Sequence, residues 1–251
     1  MKKLYSILLK PLIFVISKLT IDKKVSLITG MLQGLISREN NPADSLKFLL
    51  KLDRNIYSLT GQESIRYGKG LHTKHEHLKY HSFFVENISG GDHVLDIGCG
   101  NGALSYDIVA NVKDVKLVGI DFNKKNIEIA QKKYKHPNLE FVVGDALTDL
   151  PNEKFDVVIL SNVLEHIEQR IEFLTRIKKK IKPSKYLLRV PLFERDWRVP
   201  LMKELGLDYR LYPTHCIEYS QEEFFDELKK VGLEIELFKI CWGEIWAKIK
   251  E

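Results

Sequence analysis

Three glycines at spacing two, Gly98, Gly100 and Gly102, end the segment VLDIGCGNG at residues 94–102. Val94, Leu95 and Ile97 make the apolar run of a buried strand, so the glycines fall where that strand gives way to a helix. Such an abrupt turn needs positive φ, and a ligand close to the backbone leaves no room for a Cβ; glycine meets both demands. The dinucleotide fingerprint G-x-G-x-x-G, which seats a pyrophosphate at a helix N-terminus, has its third glycine one position later. Asp96 also stands just before the first glycine, where a carboxylate would repel a pyrophosphate but suits an ammonium group. The ligand implied is nucleoside-like and positively charged.

Three later strand ends are spaced as such a ligand requires. Residues 115–121 (VKLVGID) form an apolar strand ending in Asp121, whose carboxylate can accept from both hydroxyls of a ribose. Phe122 follows it directly and is assigned to the same pocket. Residues 139–146 (LEFVVGDA) end in Asp145, suited to an adenine amino group, and Ala146, whose amide suits a ring nitrogen. Residues 155–167 (FDVVILSNVLEHI) predict a fourth strand running into a helix, with Ser161 at its carboxyl end. With these motifs in order, the region from about residue 90 to the end resembles the class I S-adenosylmethionine-dependent methyltransferases. The resemblance implies S-adenosylmethionine as cofactor and a Rossmann-like α/β fold: a seven-stranded, mostly parallel sheet with helices on both faces, plus an N-terminal helical cap. The fifth strand is expected over Tyr186–Pro191 and the last two over 233–240 and 244–250.

The acceptor side is read from the same strand ends. Glu165-His166 resembles the Glu-His pair of methyltransferases that act on ubiquinone precursors. Some of those carry a further acid three residues earlier; here Asn162 stands there, a weaker ligand, and no metal is expected. His215 resembles a histidine that enters the acceptor pocket of such relatives, which makes it the first choice of catalytic base, with His166 second and Glu165 beside it. Arg189, Arg195 and Arg198 can grip a phosphate or carboxylate of the acceptor, or else form surface ion pairs with Glu194, Asp196 and Glu204. Trp197 and Tyr209 are candidates for a pocket wall, and Tyr67, with flexible Gly68 and Gly70 beside it, for a lid. His72, His75, His77 and His81 are four of the chain's eight histidines, and His81 is expected to face the substrate. His77 and His81 share a helical face, but no acid or cysteine completes a metal set.

Positioning these residues takes an ordinary globular chain of 251 residues, 44% hydrophobic and 29% charged. Cys99, Cys216 and Cys241 form no C-x-x-C and no disulfide framework, which suits a reducing cytoplasm. Three segments are expected: a basic amphipathic helix over 1–30, a helical cap over 31–90, and the cofactor-binding domain over 91–251. In the cap, Asn41-Pro42 opens a helix with Leu46, Leu49, Leu50, Ile56 and Leu59 inward, stopping near Gly61. Thr73 is expected to cap the next helix, with Leu78, Phe83, Phe84 and Ile88 on it.

Residues 1–30 carry Lys2, Lys3, Lys10, Lys18, Lys23 and Lys24 against Asp22, matching the net charge of +5 of the whole chain. Leu4, Ile7, Leu8, Leu12, Val15, Ile16 and Leu19 share one face there. Lys10, Pro11 and Lys18 argue against a transmembrane span, and Lys10 against a signal peptide. Peripheral contact of residues 1–20 with an anionic membrane, or packing on the protein's own core, are left as alternatives. Without a basic stripe elsewhere, nucleic acid is not expected as acceptor.

Taken together, the sequence predicts methyl transfer from S-adenosylmethionine to oxygen of a small or lipid-linked acceptor, with a histidine base. The alternatives are a protein- or nitrogen-directed methyltransferase, a cofactor-binding regulator or scaffold without activity, and, more remotely, a nicotinamide dehydrogenase.

Overall fold

The computed structural model describes residues 2–251, with side chains from residue 9 onward. Two compact units are present, Met1–Tyr57 and Ser58–Glu251. The first holds α1 (Lys2–Ser17), α2 (Ile21–Ile36) and the opening turns of α3 (Pro42–Tyr67). Polar caps start the second and third helices. The Thr20 hydroxyl accepts from the Lys23 N–H at 3.5 Å, and Asn41 Oδ1 accepts from the Ala43 N–H at 3.0 Å. Of the expected basic apolar face, the side chains of Lys2, Lys3, Leu4, Ile7 and Leu8 lie outside the described residues.

The helix at Pro42 departs from its expected inward face and its expected end. Leu50 is buried, but Leu46, Ile56 and Leu59 are exposed, and the helix runs through Gly61 to Tyr67. A single interior glycine weakens a helix by about 1 kcal/mol without stopping it.

In the second unit, α4 (Lys74–Leu78) and α5 (Tyr80–Glu86) are separate because Lys79 adopts φ 50° between them. Thr73 does not cap the former with its side chain. His72 takes that role, its Nδ1 accepting from the Lys74 N–H at 3.1 Å. Tyr80, Phe83, Phe84 and Ile88 are buried as a largely aromatic block against the sheet, Ile88 its aliphatic member.

The sheet follows with β1 (His93–Ile97), α6 (Ala103–Asn111), β2 (Lys116–Asp121), α7 (Lys124–Lys133), β3 (Leu139–Val143) and β4 (Val157–Ser161). Then come α8 (Arg170–Lys180), β5 (Lys185–Pro191), α9 (Arg198–Glu204), α10 (Gln221–Val231), β6 (Glu234–Cys241) and β7 (Glu244–Lys250). The strand order is β3-β2-β1-β4-β5-β7-β6; β7 runs antiparallel between β5 and β6, and the other pairings are parallel. This is the expected seven-stranded, mostly parallel sheet.

Side chains alternate across it. Leu95, Ile97, Val158, Leu160 and Leu188 pack on one face with α8 and α10, while Val94, Val157, Ile159 and Leu187 pack on the other with α5 and α6. Burial on both faces is why these strands read as continuous apolar runs. Where β4 ends, the expected helix is only a 3-10 turn, Leu164–His166, with α8 starting at Arg170. Parallel strands deliver their carboxyl ends to one edge, and the predicted motifs collect there.

Candidate active site

A cleft of about 280 Å³ opens at that edge, lined by Asp96, Gly98, Gly100, Ser161, Asn162 and Arg189, with Lys74, His75 and Tyr80 on its far wall. Each glycine of the loop has positive φ, but for different reasons. A Cβ on Gly98 would come within 2.7 Å of Val163 Cγ2, and one on Gly102 within 2.9 Å of Ala130 Cβ. A Cβ on Gly100 would meet nothing within 4 Å. Gly98 and Gly102 are therefore required by packing, whereas the backbone at Gly100 faces open space.

Asp96 lies out of phase with Leu95 and Ile97, so it points toward α6, where Ser105 Oγ donates to Oδ2 at 2.6 Å. Burial pushes its carboxyl up to about 7 against the pull of the Ser105 hydrogen bond. Asp121, nearly buried at the end of β2, accepts from the Gly100 N–H at 2.9 Å and the Asn123 N–H at 2.7 Å. It ties the glycine loop to the second strand and keeps lone pairs to spare for hydroxyl groups. Phe122 is 79% exposed, free to cover a ligand lying on the loop. At the end of β3, Asp145 Oδ1 accepts from the Leu147 N–H at 2.9 Å, and the Ala146 carbonyl accepts from Arg176 at 3.0 Å. Asn162 holds φ 58° after β4, with its buried Oδ1 unpartnered. An open glycine, the orphaned amide oxygen of Asn162 and, bonded to Gly100 beside the lining, Asp121 with lone pairs to spare fit a polar ligand in this cleft, as S-adenosylmethionine requires.

The far wall is built around a buried ion pair. Arg189 is buried and bidentate to Glu244, at 2.6 and 3.0 Å. Its guanidinium lies 3.7 Å from the Tyr80 ring centroid and donates to Ser161 Oγ at 3.3 Å. Burial, offset in part by Glu244 and Glu165, lowers the Lys74 ammonium. His75 is pushed down to about 3 by burial and neighbouring positive groups, so it is neutral there. The Tyr80 hydroxyl lies 2.8 Å from His75 Nδ1, and His81 bridges His75 and Asp107. His81 therefore sits behind the cleft wall, one hydrogen bond from it.

Past Asn162, the 3-10 turn meets the loop before α10. The Cys216 N–H donates to the Glu165 carbonyl at 2.6 Å, bringing His215 onto His166 with ring centroids 4.6 Å apart and nearly perpendicular. Glu165, His166 and His215 each offer a ligand atom within 4.8 Å of the others. His215 is buried, and its Nδ1 lies 2.8 Å from Glu218 Oε1. Glu218 also accepts from the Leu211 N–H at 2.6 Å and from Arg195. Burial pushes the Glu165 carboxyl up to about 8, and both its oxygens lack partners. Burial first, then His215, lowers His166.

Of the expected residues, Asp96, Gly98, Gly100, Ser161 and Arg189 line the cleft, whereas Gly102, Asp121, Phe122, Asp145, Ala146, Glu165, His166 and His215 lie outside its lining. Arg195 spends its guanidinium on Glu218 and on the carbonyls of Leu192 and Tyr209, so it anchors a loop. Tyr67 and Trp197 stand in solvent, 85% and 71% exposed, outside the cleft lining. The sequence reading passed over Glu218 as an orienting acid, although its place three residues after His215 is a local signal. His75, a member of the expected histidine cluster, does line the cleft, and Lys74 and Tyr80 from the same stretch line it without having a signal of their own. Glu244, 55 residues from its partner Arg189, has no local signal at all.

Residues 88–230 match the family described as a methyltransferase domain. The ubiquinone biosynthesis O-methyltransferase of Rickettsia bellii is 28% identical over 172 residues, 65% of this chain and 69% of that protein. Its counterpart in Bradyrhizobium diazoefficiens is 30% identical over 152 residues, covering 59% of each chain. Among solved structures, magnesium protoporphyrin IX methyltransferase from Synechocystis, with bound SAH, superposes with a TM-score of 0.58. It is 18% identical, over 80% of this chain and 99% of that one, a likeness of fold.

Proposed function

Because this chain belongs to the class I S-adenosylmethionine-dependent methyltransferases, with S-adenosylmethionine as its cofactor, we propose that it methylates an oxygen of a small or lipid-linked acceptor, with His215 as base. The observation that carries this reading is the buried His215–Glu218 pair beside the end of β4. Bound in the cleft, the cofactor supplies a methyl group on a sulfonium, already activated for in-line displacement.

The domain over 91–251 supplies the rest. Asp96 and the 98–102 loop hold the cationic amino-acid end, Asp121 the ribose, Phe122, Asp145 and Ala146 the adenine, and Ser161 the inner edge. Glu218 accepts the Nδ1 proton of His215, which leaves Nε2 as the lone pair facing the acceptor hydroxyl. Arg195 holds Glu218 still, and so acts as a positioning residue instead of touching the acceptor. Neutral Glu165 and His166 wall the base off from water, with His166 the reserve base. Arg189, pinned on Glu244, presents fixed positive charge to an acidic acceptor; His81 supports that wall from behind, and Tyr67 and Trp197 are left for an acceptor's outer parts. Holding nucleophile and methyl in line can supply about 7–11 kcal/mol of the barrier, and the base about 10²–10⁴-fold.

The O-methyltransferase names of the Rickettsia and Bradyrhizobium relatives support oxygen as the target. A fatty-acid O-methyltransferase of Mycolicibacterium smegmatis, 32% identical over 112 residues, supports a lipid-linked acceptor. Three unpaired cysteines suit a cytoplasmic location.

The test is transfer from methyl-labelled S-adenosylmethionine into an extract of the source cells, with the label then partitioned and the product's methylated atom identified. Label on oxygen in an organic or small-molecule fraction is expected. Label confined to protein or to nitrogen overturns the reading, and cofactor binding without any transfer leaves a regulator. Pretreatment with a chelator belongs to the same assay. Unchanged turnover is expected, whereas loss restored by a divalent ion would recast Glu165, His166 and His215 as its ligands.

A further inference from the structure

The first unit carries apolar surface that its own helices do not cover. Leu12, Phe14, Ile21, Val25, Ile28 and Met31 are all exposed, Ile21 by 77%, and α2 buries no residue. Among them stand Lys10, Lys18, Lys23 and Lys24, none paired with a carboxylate among the described residues. Across Met1–Tyr57 there are ten lysines and arginines against four acids, a net charge of +6, so the rest of the chain is slightly acidic. Large apolar side chains beside unpaired lysines are costly in water and suit one environment in particular, the headgroup region of an anionic bilayer.

Length decides between lying on such a bilayer and crossing it. Both α1 and α2 have 16 residues, about 24 Å at 1.5 Å per residue, short of a hydrocarbon core of about 30 Å. The turn between them places Lys18, Lys23 and Lys24 close in sequence, where a spanning hairpin would have to carry three ammonium groups across the hydrocarbon core. No helix among the described residues is long and apolar enough to cross a membrane. Charge decides between a membrane and a second copy of the chain. Apposing two units of +6 brings like charges together, whereas anionic headgroups oppose them.

We propose that the first unit is a peripheral docking element for anionic lipid surfaces, with α1 and α2 lying in the headgroup plane. Their apolar side chains enter the acyl boundary and their lysines meet lipid phosphates. The assignment reaches beyond residues 1–20 to the whole of α2, and it stands whatever acceptor the second unit methylates.

The experiment is cosedimentation of the full chain with phosphatidylcholine vesicles, with and without phosphatidylglycerol, at low and high salt. Binding only to the anionic vesicles, weakened by salt, is expected. The triple variant K18E/K23E/K24E is expected to lose more than about tenfold in affinity at low salt. The variant Ile21→Asp with Val25→Asp is expected to release at high salt, where the apolar contribution is what remains. Calorimetry with S-adenosylmethionine must give the parent affinity for both variants, which shows that the second unit is folded. Equal binding to neutral vesicles, or no binding to either kind, overturns the proposal. So does a chain that dimerises in light scattering and becomes monomeric in the Ile21 and Val25 variant, since the apolar face then belongs to a second copy. Failure of methyl transfer has no bearing on these readouts.

Discussion

His215 and Glu218 are separated by three residues, yet they are the part of the site with the most specific chemistry. A buried imidazole whose Nδ1 is committed to a carboxylate has one nitrogen left to work with. Replacing His215 by alanine should lower kcat by about 10²–10⁴-fold and leave cofactor affinity unchanged in calorimetry. Equal turnover would remove the residue from the chemistry. Glu218→Gln should cost less in kcat than His215→Ala and leave cofactor affinity unchanged in calorimetry. Asp121→Ala should abolish cofactor binding, because it removes both the ribose acceptor and the anchor of the Gly100 N–H.

Asp96 gives a prediction in pH. Its carboxyl is raised from 3.8 to about 7 by burial, so the stability it contributes is present in acid and is lost as pH rises through about 7. A cationic ligand needs the ionised form, and affinity runs the opposite way. Between about pH 6 and pH 7, S-adenosylmethionine should bind roughly fivefold more tightly, and Asp96→Asn should flatten the curve.

At the scale of elements, the glycine loop separates packing from binding. Gly98→Ala adds a methyl that overlaps Val163 at a φ of 71°, and should lower Tm further than Gly100→Ala, whose Cβ enters open space. Both pay about 1–2 kcal/mol for the left-handed backbone, roughly 2–8 °C in a chain of this size. Affinity should show the reverse order, with Gly100→Ala losing more cofactor binding. The opposite ranking in calorimetry would move the ligand to the Gly98 side.

The strands were legible because a sheet buried on both faces demands near-continuous apolar runs: VVIL is one, and VLDI and LLRV are each interrupted by a single charged residue. The cap helices were less so. Gly61 looks like a stop only until a helix with enough neighbours runs through it, and a break at Lys79 has no signature when a lysine adopts φ 50°. For the site, strand-end acids announce themselves by following apolar runs. Side-chain direction does not, which is why Trp197 reads as a pocket wall and Tyr67 as a lid while both stand in water. Partnerships across the sheet, such as Arg189 with Glu244, are fixed by register that no local pattern encodes.

For the molecule as a whole, ligand linkage distinguishes the cofactor from its rival. S-adenosylmethionine at a hundred times its Kd should stabilise the chain by about 2.7 kcal/mol, roughly 5–11 °C in Tm. NAD at the same concentration should leave Tm unmoved; a shift with NAD alone would revive hydride chemistry.

The antiparallel insertion of β7 between β5 and β6 bears on biogenesis. Translation is vectorial, so β5 and β6 leave the ribosome before the strand that joins them exists. Until Glu244–Lys250 arrives, the edge of β5 has no neighbour on that side and the Arg189 guanidinium no counter-ion. A nascent chain can thus assemble the glycine loop and its strand-end acids while the far wall of the cleft is still unfixed. The donor side of the cleft can therefore form before the wall that faces the acceptor, because only that wall waits for β7.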